Sequence, residues 1–314
     1  MPYRDRAALA PTVPRRFPAK TGQNVYLYLM LVPVVAYYAI FHYAPMYGLL
    51  MAFQNFKPFK RVLGSPWVGF ENFRVLFTGP YFVRLLRNTL LLNLYDLVFG
   101  FPAPIVLALV FNEISNLRFK KVTQTISYLP YFISIVILTG LVVNFLSPST
   151  GVVNAIIKGF GGTPVYFLAD PRYFRLTYTI MNVWKNVGFG SIIYMAALAG
   201  IDSQLYEAAV VDGGNRWHQA VHITLPGIAP TIIIMLILRM GQMLSVGFES
   251  IVNLYNPAIY ETSDVINTYV YRVGLQGSGY SLATAAGFFQ SVVSLALVAA
   301  ANEISKRVSD THLW

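Results

Sequence analysis

Long runs without Asp, Glu, Lys or Arg dominate the chain. Residues 21–56, 122–157 and 273–302 contain none of the four, and 217–248 is interrupted only by Arg239. Two further runs carry one charge each, Asp96 in 88–112 and Lys185 in 176–201. A hydrocarbon core of about 30 Å needs roughly 20 apolar residues per helix. The pattern therefore predicts six spans, near 25–53, 88–112, 124–146, 176–201, 228–248 and 282–303. The first run is too long for the apolar region of a signal peptide and has no small-residue cleavage site. No internal repeat, low-complexity tract or second domain interrupts the series. The expected organisation is a tail at 1–22 containing Pro11, Pro14 and Pro18, a six-span domain at 23–304 and a short tail at 305–314.

Composition agrees with this pattern. Of 314 residues, 56% are hydrophobic and 11% charged, against about 25% charged in a soluble domain. The expected fold class is all-α, a polytopic membrane protein. Disorder, collagen and coiled coil are excluded by the same values. The absence of cysteine excludes a disulfide scaffold, a thiolate zinc site and a cysteine nucleophile. The net charge of +10 is scattered between apolar runs. Loops beside anionic lipid headgroups account for it better than nucleic acid does.

Charge does not orient the chain. With both termini cytoplasmic, eleven Lys and Arg fall in cytoplasmic segments and ten in external ones, so the positive-inside rule does not discriminate. The excess outside comes from 54–87, with Lys57, Lys60, Arg61, Arg74, Arg84 and Arg87. Catalytic patterns are also missing. There is no G-x-x-x-x-G-K-[ST], so the chain cannot cradle nucleotide phosphates in that manner, and no H-E-x-x-H or G-x-S-x-G. His218 and His222 have the i, i+4 spacing of metal ligands but no third ligand nearby. Interface polarity is the expected reading, with no catalytic or metal site and no cofactor bound by this chain.

The loop at 202–227 is too polar to span. Asp202 or Ser203 can cap a helix start. Ala208 and Ala209 favour helix, and Gly213-Gly214 ends it with a residue able to take positive φ. Asn215 can cap a second short helix, expected to stop before Pro226. Apolar Tyr206, Ala209, Val210 and Trp217 alternate with charged Glu207 and Asp212. Such an element either lies on the membrane surface or docks into a partner. Glu207-Ala208-Ala209, three residues, Gly213, nine residues, then Ile223-x-Leu225-Pro226 resembles the signature loop of ABC importer permeases at every fixed position. Tyr43-Ala44-Pro45-Met46-Tyr47-Gly48 with Phe53-Gln54-Asn55-Phe56, the run Trp67-Val68-Gly69-Phe70-Glu71-Asn72-Phe73, and Leu129-Pro130-Tyr131-Phe132-Ile133-Ser134 resemble the branch of that family that imports complex oligo- and polysaccharides.

The resemblance implies a type I ABC importer permease fold with both termini cytoplasmic, in a bacterial inner membrane. It implies that Glu207, Ala208, Ala209, Asp212, Gly213, Leu225 and Pro226 couple this chain to an ATPase. The expected partners are a second homologous permease, two copies of an ABC ATPase holding ATP and Mg, an extracytoplasmic solute-binding protein and membrane lipid. The chain itself would not be an enzyme.

Polar residues inside the spans are the candidate substrate path, because charges at that depth by default face a bundle interior or a wet cavity. Asn182, Lys185 and Asn186 stand at i, i+3, i+4 beside Trp184, and Arg239, Gln242 and Glu249 form a second stripe. Asn, Gln and Trp edges supply the hydrogen bonding that sugar hydroxyls need. Lys185 and Arg239 would compensate carboxylates of an acidic polysaccharide such as alginate. The competing reading is internal pairing, for example of Arg239 with Asp96 or Glu249. A permease for a neutral oligosaccharide is the alternative within the class. A stand-alone secondary transporter would need an internal repeat and a midplane ion site, and the chain has no repeat.

Overall fold

The computed structural model describes residues 21–308. The expected tail at 1–22 therefore lies almost wholly outside the described residues, as does the end of the C-terminal one. Among the described residues the chain is helical, and extended segments meet only at an isolated bridge between Gln54 and Trp67. It forms two units, one ending at Leu49 and a larger one beginning at Leu50. From the first, α1 (Thr21–Tyr38) runs through a π-turn at Ala39–Tyr43 into a 3-10 segment, Ala44–Phe53, whose last four residues belong to the second. Together Tyr28–Phe53 are long and apolar enough to cross a membrane.

The larger unit holds α2 (Phe82–Glu113), α3 (Leu117–Phe132), α4 (Ile135–Phe145), α5 (Pro171–Leu198), α6 (Ser203–Val211), α7 (Arg216–Met240) and α8 (Tyr280–Val308). Helices α2, α7 and α8 meet the length and hydropathy of a span, and α3 with α4 form a bent pair. α5 is 28 residues long, about 42 Å at 1.5 Å per residue, but carries Arg172, Arg175 and Lys185. The six expected runs are consistent with these helices.

Three details differ from the sequence reading, each with a local cause. The run 124–146 is not one helix, because α3 and α4 meet at 98°. Pro130 sits in a 3-10 turn at Leu129–Phe132, and Ile133 and Ser134 are extended. A break at that depth strips carbonyls of their helical partners, which lipid cannot replace. Lys185 replaces them, its Nζ donating to the carbonyls of Tyr131 at 3.1 Å and Ile133 at 2.7 Å. The Tyr131 ring stacks on Phe189 of α5 at 4.0 Å. Beside it, Gly188 lies so close to the Ser127 backbone that no Cβ fits.

The second difference concerns Pro226. The helix after Asn215 does not stop there but continues as α7 to Met240. A π-turn at Ala220–Thr224 precedes the proline. It shifts the carbonyls that a proline ring would strike and that would otherwise wait for its missing N–H. Third, that helix ends at Met240, so Glu249 is off the stripe of Arg239 and Gln242.

Two apolar cores bracket the middle of α5. Near its start, Phe174, Tyr178 and Met181 pack with Leu92, Leu138, Val246, Ile251 and Val265. Near its end, Tyr194 and Leu198 pack with Ile105, Ala108 and Ile228. The W-x-G-x-x-N-F run has a packing role. Asn72 donates to the carbonyls of Ala52 at 2.8 Å and Gln54 at 3.0 Å, and Trp67 stacks on Phe53 at 5.7 Å.

Replacing Lys185 by Met is expected to lower the thermal stability of the folded chain, since two carbonyls in apolar surroundings lose their donor. Each unsatisfied group costs about 1–3 kcal/mol. Thermal unfolding in detergent checks this, and Lys185→Arg should recover part of the loss.

Candidate functional site

Between the two cores, α2, α5 and α7 enclose polar space. It divides into compartments of about 390 and 400 Å³. Both are lined by Asp96, Asn182, Asn186, Arg239 and Gln242. The compartment nearer the 202–227 loop adds Phe101, Pro104, Tyr194 and Met235. The other adds Asn93, Tyr178, Ser245 and Gly247. The shared wall is crossed by an ion pair in which Arg239 Nη2 donates to Asp96 Oδ2. Its side chains are 41% and 23% exposed, so the pair faces the cavity and is only partly desolvated.

Helical geometry explains which expected path residues meet. Successive residues turn by about 100°. Asn182 and Asn186 are one turn apart and line both compartments. Their amide nitrogens donate to the Tyr178 and Asn182 carbonyls of the same helix, both at 2.9 Å. The amide oxygens are left as acceptors for a ligand. Trp184 points to another side of α5, where it lines an apolar groove with Leu138, Phe145 and Leu176. Lys185 turns to the α3–α4 break as described. Glu249, beyond the end of α7, is exposed in the first turn of Phe248–Leu254. The structure thus gathers Asn182, Asn186, Arg239 and Gln242, and disperses Trp184, Lys185 and Glu249.

Sequence reasoning gave Asp96 only a structural part and passed over Tyr178 and Ser245. Tyr178 had a usable signal, since it precedes Asn182 by one turn. Ser245 had none, because it lies in the irregular segment after α7.

At one end of the cavity, 202–227 forms a helix, a glycine turn and a second helix. Asp202 caps α6 by accepting from the Gln204 N–H at 3.0 Å, and Asn215 caps α7 by accepting from His218 at 2.8 Å. Gly213 has φ of +79°, a value that costs L-residues and suits glycine. Gly214 is required for another reason: a Cβ there would stand 2.8 Å from the Ala209 carbonyl. Between the helices lies a cavity of about 430 Å³ lined by Leu205, Ala208, Ala209, Asp212 and His218. Val210, Val211 and Trp217 are 63%, 86% and 77% exposed, and Glu207 is exposed as well. Tyr206 Oη and Thr224 Oγ1 lie 3.1 Å apart, and Arg216 pairs with Glu113 at the end of α2 at 3.3 Å. These contacts join the loop to the ends of α2 and α7. His218 and His222 stack at 4.1 Å, and no group of three metal-ligating side chains occurs among the described residues.

A helical bundle of apolar spans with a polar cavity in its middle and a helix–glycine–helix loop at one end has the form of a membrane transport subunit. Residues 100–310 match the family of binding-protein-dependent transport system inner membrane components, and the chain belongs to that family. Two relatives from Bacillus subtilis (strain 168) are each 42% identical. Protein LplB aligns over 94% of this chain and 93% of its own length. The polygalacturonan/rhamnogalacturonan transport system permease protein YteP aligns over 96% and 94%. Among solved structures, a chain of a bacterial ABC transporter involved in the import of the acidic polysaccharide alginate matches with TM-score 0.86 and 50% identity, over 91% of this chain and 97% of that one. A chain of the alginate transporter in complex with an alginate pentasaccharide-bound periplasmic protein matches with TM-score 0.87 and 49% identity, over 93% and 98%.

Proposed function

We propose that this chain is one of two permease subunits of an ATP-driven importer for an acidic oligo- or polysaccharide of the alginate or polygalacturonan kind. The carrying observation is the polar cavity of Asn182, Asn186, Arg239 and Gln242, placed between two apolar cores and in line with the signature loop. Half of a path made this way needs a second permease to close it. The exposed apolar residues of the loop, beside Glu207, suit a cleft in an ATPase. On this reading the loop and both termini are cytoplasmic, and an extracytoplasmic solute-binding protein delivers sugar at the opposite end. Closure of the ATPase pair moves α6. Its glycine turn passes the movement into α7, which runs on from Arg216 to Met240 and carries Arg239. Hydrolysis and Mg chemistry belong to the ATPase subunit, since this chain has no phosphate-cradling loop.

The acidic cargo is supported by the relatives' substrates and by the cation in the cavity wall. A neutral oligosaccharide is the second reading, favoured by one observation: Asp96 already neutralises Arg239. The two are separated by uptake into vesicles holding the whole complex with its binding protein. We expect ATP-dependent accumulation of an oligouronide well above that of a neutral oligosaccharide of equal length. Preference for the neutral sugar would establish the second reading, and no ATP-dependent uptake of either would remove both.

A further inference from the structure

At the end of the cavity opposite the 202–227 loop, the bundle gathers arginines from three separate segments. Asp264, completely buried, accepts from Arg84 of α2 at 3.1 Å and from Arg272 at 3.0 and 2.8 Å. Asn88, also buried, donates to the Asp264 carbonyl at 3.0 Å and to the Glu261 carbonyl at 2.9 Å. Its Oδ1 accepts from Arg175 Nη2 at 3.1 Å. Asp264 is therefore committed to Arg84 and Arg272, and Arg175 has only a neutral amide.

Arg87, exposed on α2, is the chain neighbour of Asn88, whose amide takes the Arg175 hydrogen bond, and Glu261, whose carbonyl the same amide holds, is exposed as well. Around Asn88 the chain thus gathers four arginines, Arg84, Arg87, Arg175 and Arg272, and two acidic residues, Asp264 and Glu261, of which Asp264 is already held by Arg84 and Arg272. The Nε atoms of Arg84 and Arg175 are buried without a hydrogen-bond partner. Buried guanidinium groups are normally satisfied, and like charges held together at a membrane surface are costly unless an anion joins them. The excess charge of 54–87 that spoils the positive-inside count includes Arg84 and Arg87.

Arg175 is also in register with the cavity. It precedes Asn182 by seven residues and Asn186 by eleven, within about 20° of both around the helix. Tyr178, one turn nearer, lines the outer compartment. Arg175 thus heads the stripe that continues through Tyr178 to Asn182 and Asn186, about 10 Å before Asn182 at 1.5 Å per residue.

We propose that Arg175 and Arg87 form a carboxylate-binding subsite at the head of the cavity, which receives a uronic acid residue before it reaches Asn182. A carboxylate there accepts charge-assisted hydrogen bonds from Arg87 and from the Nη groups of Arg175, and it supplies the counter-charge that the neutral Asn88 amide does not. Arg84 and Arg272, locked onto Asp264, hold the surrounding backbone of α2 and of Tyr271–Gln276 in place. The subsite rests on the acidic-cargo reading. It adds to that reading a place where charge is read before the cavity is entered by the sugar ring.

The test uses the complete complex in proteoliposomes with its binding protein. Uptake is measured for an oligouronide and for a neutral oligosaccharide, over a range of salt. Arg87→Gln, Arg175→Gln and Arg175→Lys are compared with wild type, after co-purification establishes that each complex assembles. Loss of a charge-assisted hydrogen bond should lower oligouronide uptake at limiting sugar by about tenfold for Arg175→Gln. The loss should be smaller for Arg87→Gln, which lies at the exposed rim, and Arg175→Lys should recover part of it. Salt dependence should fall in both Gln variants. Wild-type oligouronide uptake in both would overturn the subsite while leaving the acidic-cargo reading standing. A lower affinity of the complex for sugar-loaded binding protein, with sugar uptake otherwise normal at saturating binding protein, would reassign the arginines to protein docking and overturn the subsite too. Wild-type uptake of neutral sugar alone would instead defeat the reading on which the subsite rests.

Discussion

Gly213→Val is expected to abolish coupling while leaving the chain folded and inserted. Gly213 holds φ of +79°. The left-handed region costs an ordinary L-residue roughly 1–2 kcal/mol, and a β-branched one more. Nothing lies within 4 Å of a Cβ built there, so the effect is conformational and not a clash. To escape the strain, the turn must open, and opening it rotates α6 against the start of α7. The caps at Asp202 and Asn215 keep the two helices intact, so the change is one of angle. An ATPase cleft fitted to Val210, Val211 and Trp217 would then drive α6 without turning α7. The expected result is transport reduced by about tenfold or more, with ATP hydrolysis by the complex continuing. Glu207→Ala should act at a different step. Truncating one side of a docked charge pair costs about 2–5 kcal/mol of association, so less ATPase should co-purify. Full transport and full association in both variants would reduce 202–227 to a helix lying on the membrane.

The second large effect concerns Arg239 and Asp96. Breaking a buried ion pair from one side costs about 3–5 kcal/mol, because the other charge is left without compensation. Side chains 41% and 23% exposed keep some water, so the cost here should be smaller, about 1–3 kcal/mol. Arg239→Gln leaves Asp96 as a lone anion in the shared wall of both compartments. It should destabilise the chain and also repel a uronic acid. Asp96→Asn removes the resident carboxylate and frees Arg239 for the cargo's. Transport of an oligouronide should therefore fall much further in Arg239→Gln than in Asp96→Asn, even where thermal stability falls comparably. In the Asp96→Asn/Arg239→Gln double variant, stability should recover but oligouronide transport should not. A double variant that recovers both would make the pair an internal strut and nothing more.

The long apolar runs are consistent with the helices observed, because lipid imposes a length that sequence records directly. The spacing of Glu207, Ala208, Ala209, Gly213 and Pro226 marked out the loop, and the φ of Gly213 follows from the same residues. What escaped was the path of the backbone within a run. The 98° turn after Phe132 depends on Lys185 of another helix supplying the donors, a compensation between segments that periodicity does not reveal. The continuity of α7 through Pro226 depends on a π-turn, which has no sequence signature of its own. The candidate path was half legible for the same reason. Asn182 and Asn186 share a face by helical geometry alone. Lys185 was drawn in by its charge, although it turns towards α3. The exposed Arg87 and the half-buried Arg175 sit just outside the apolar runs, where a search for intramembrane charge does not look.

The central claim is that the space walled by Asn182, Asn186, Arg239 and Gln242 is the sugar path. The chain has no cysteine, so Asn186→Cys introduces a single thiol. With the partner subunits also freed of cysteine, a charged, water-borne thiol reagent can report on this wall in the working complex. Trp184→Cys, in the apolar groove on the other side of the same helix, serves as the reference. The account predicts that the thiol at 186 reacts at a rate that changes between the resting and ATP-trapped complex and is slowed by an oligouronide, while the thiol at 184 shows neither effect. A thiol at 186 that stays unreactive in every state, or that reacts at one rate regardless of nucleotide and sugar, would contradict it.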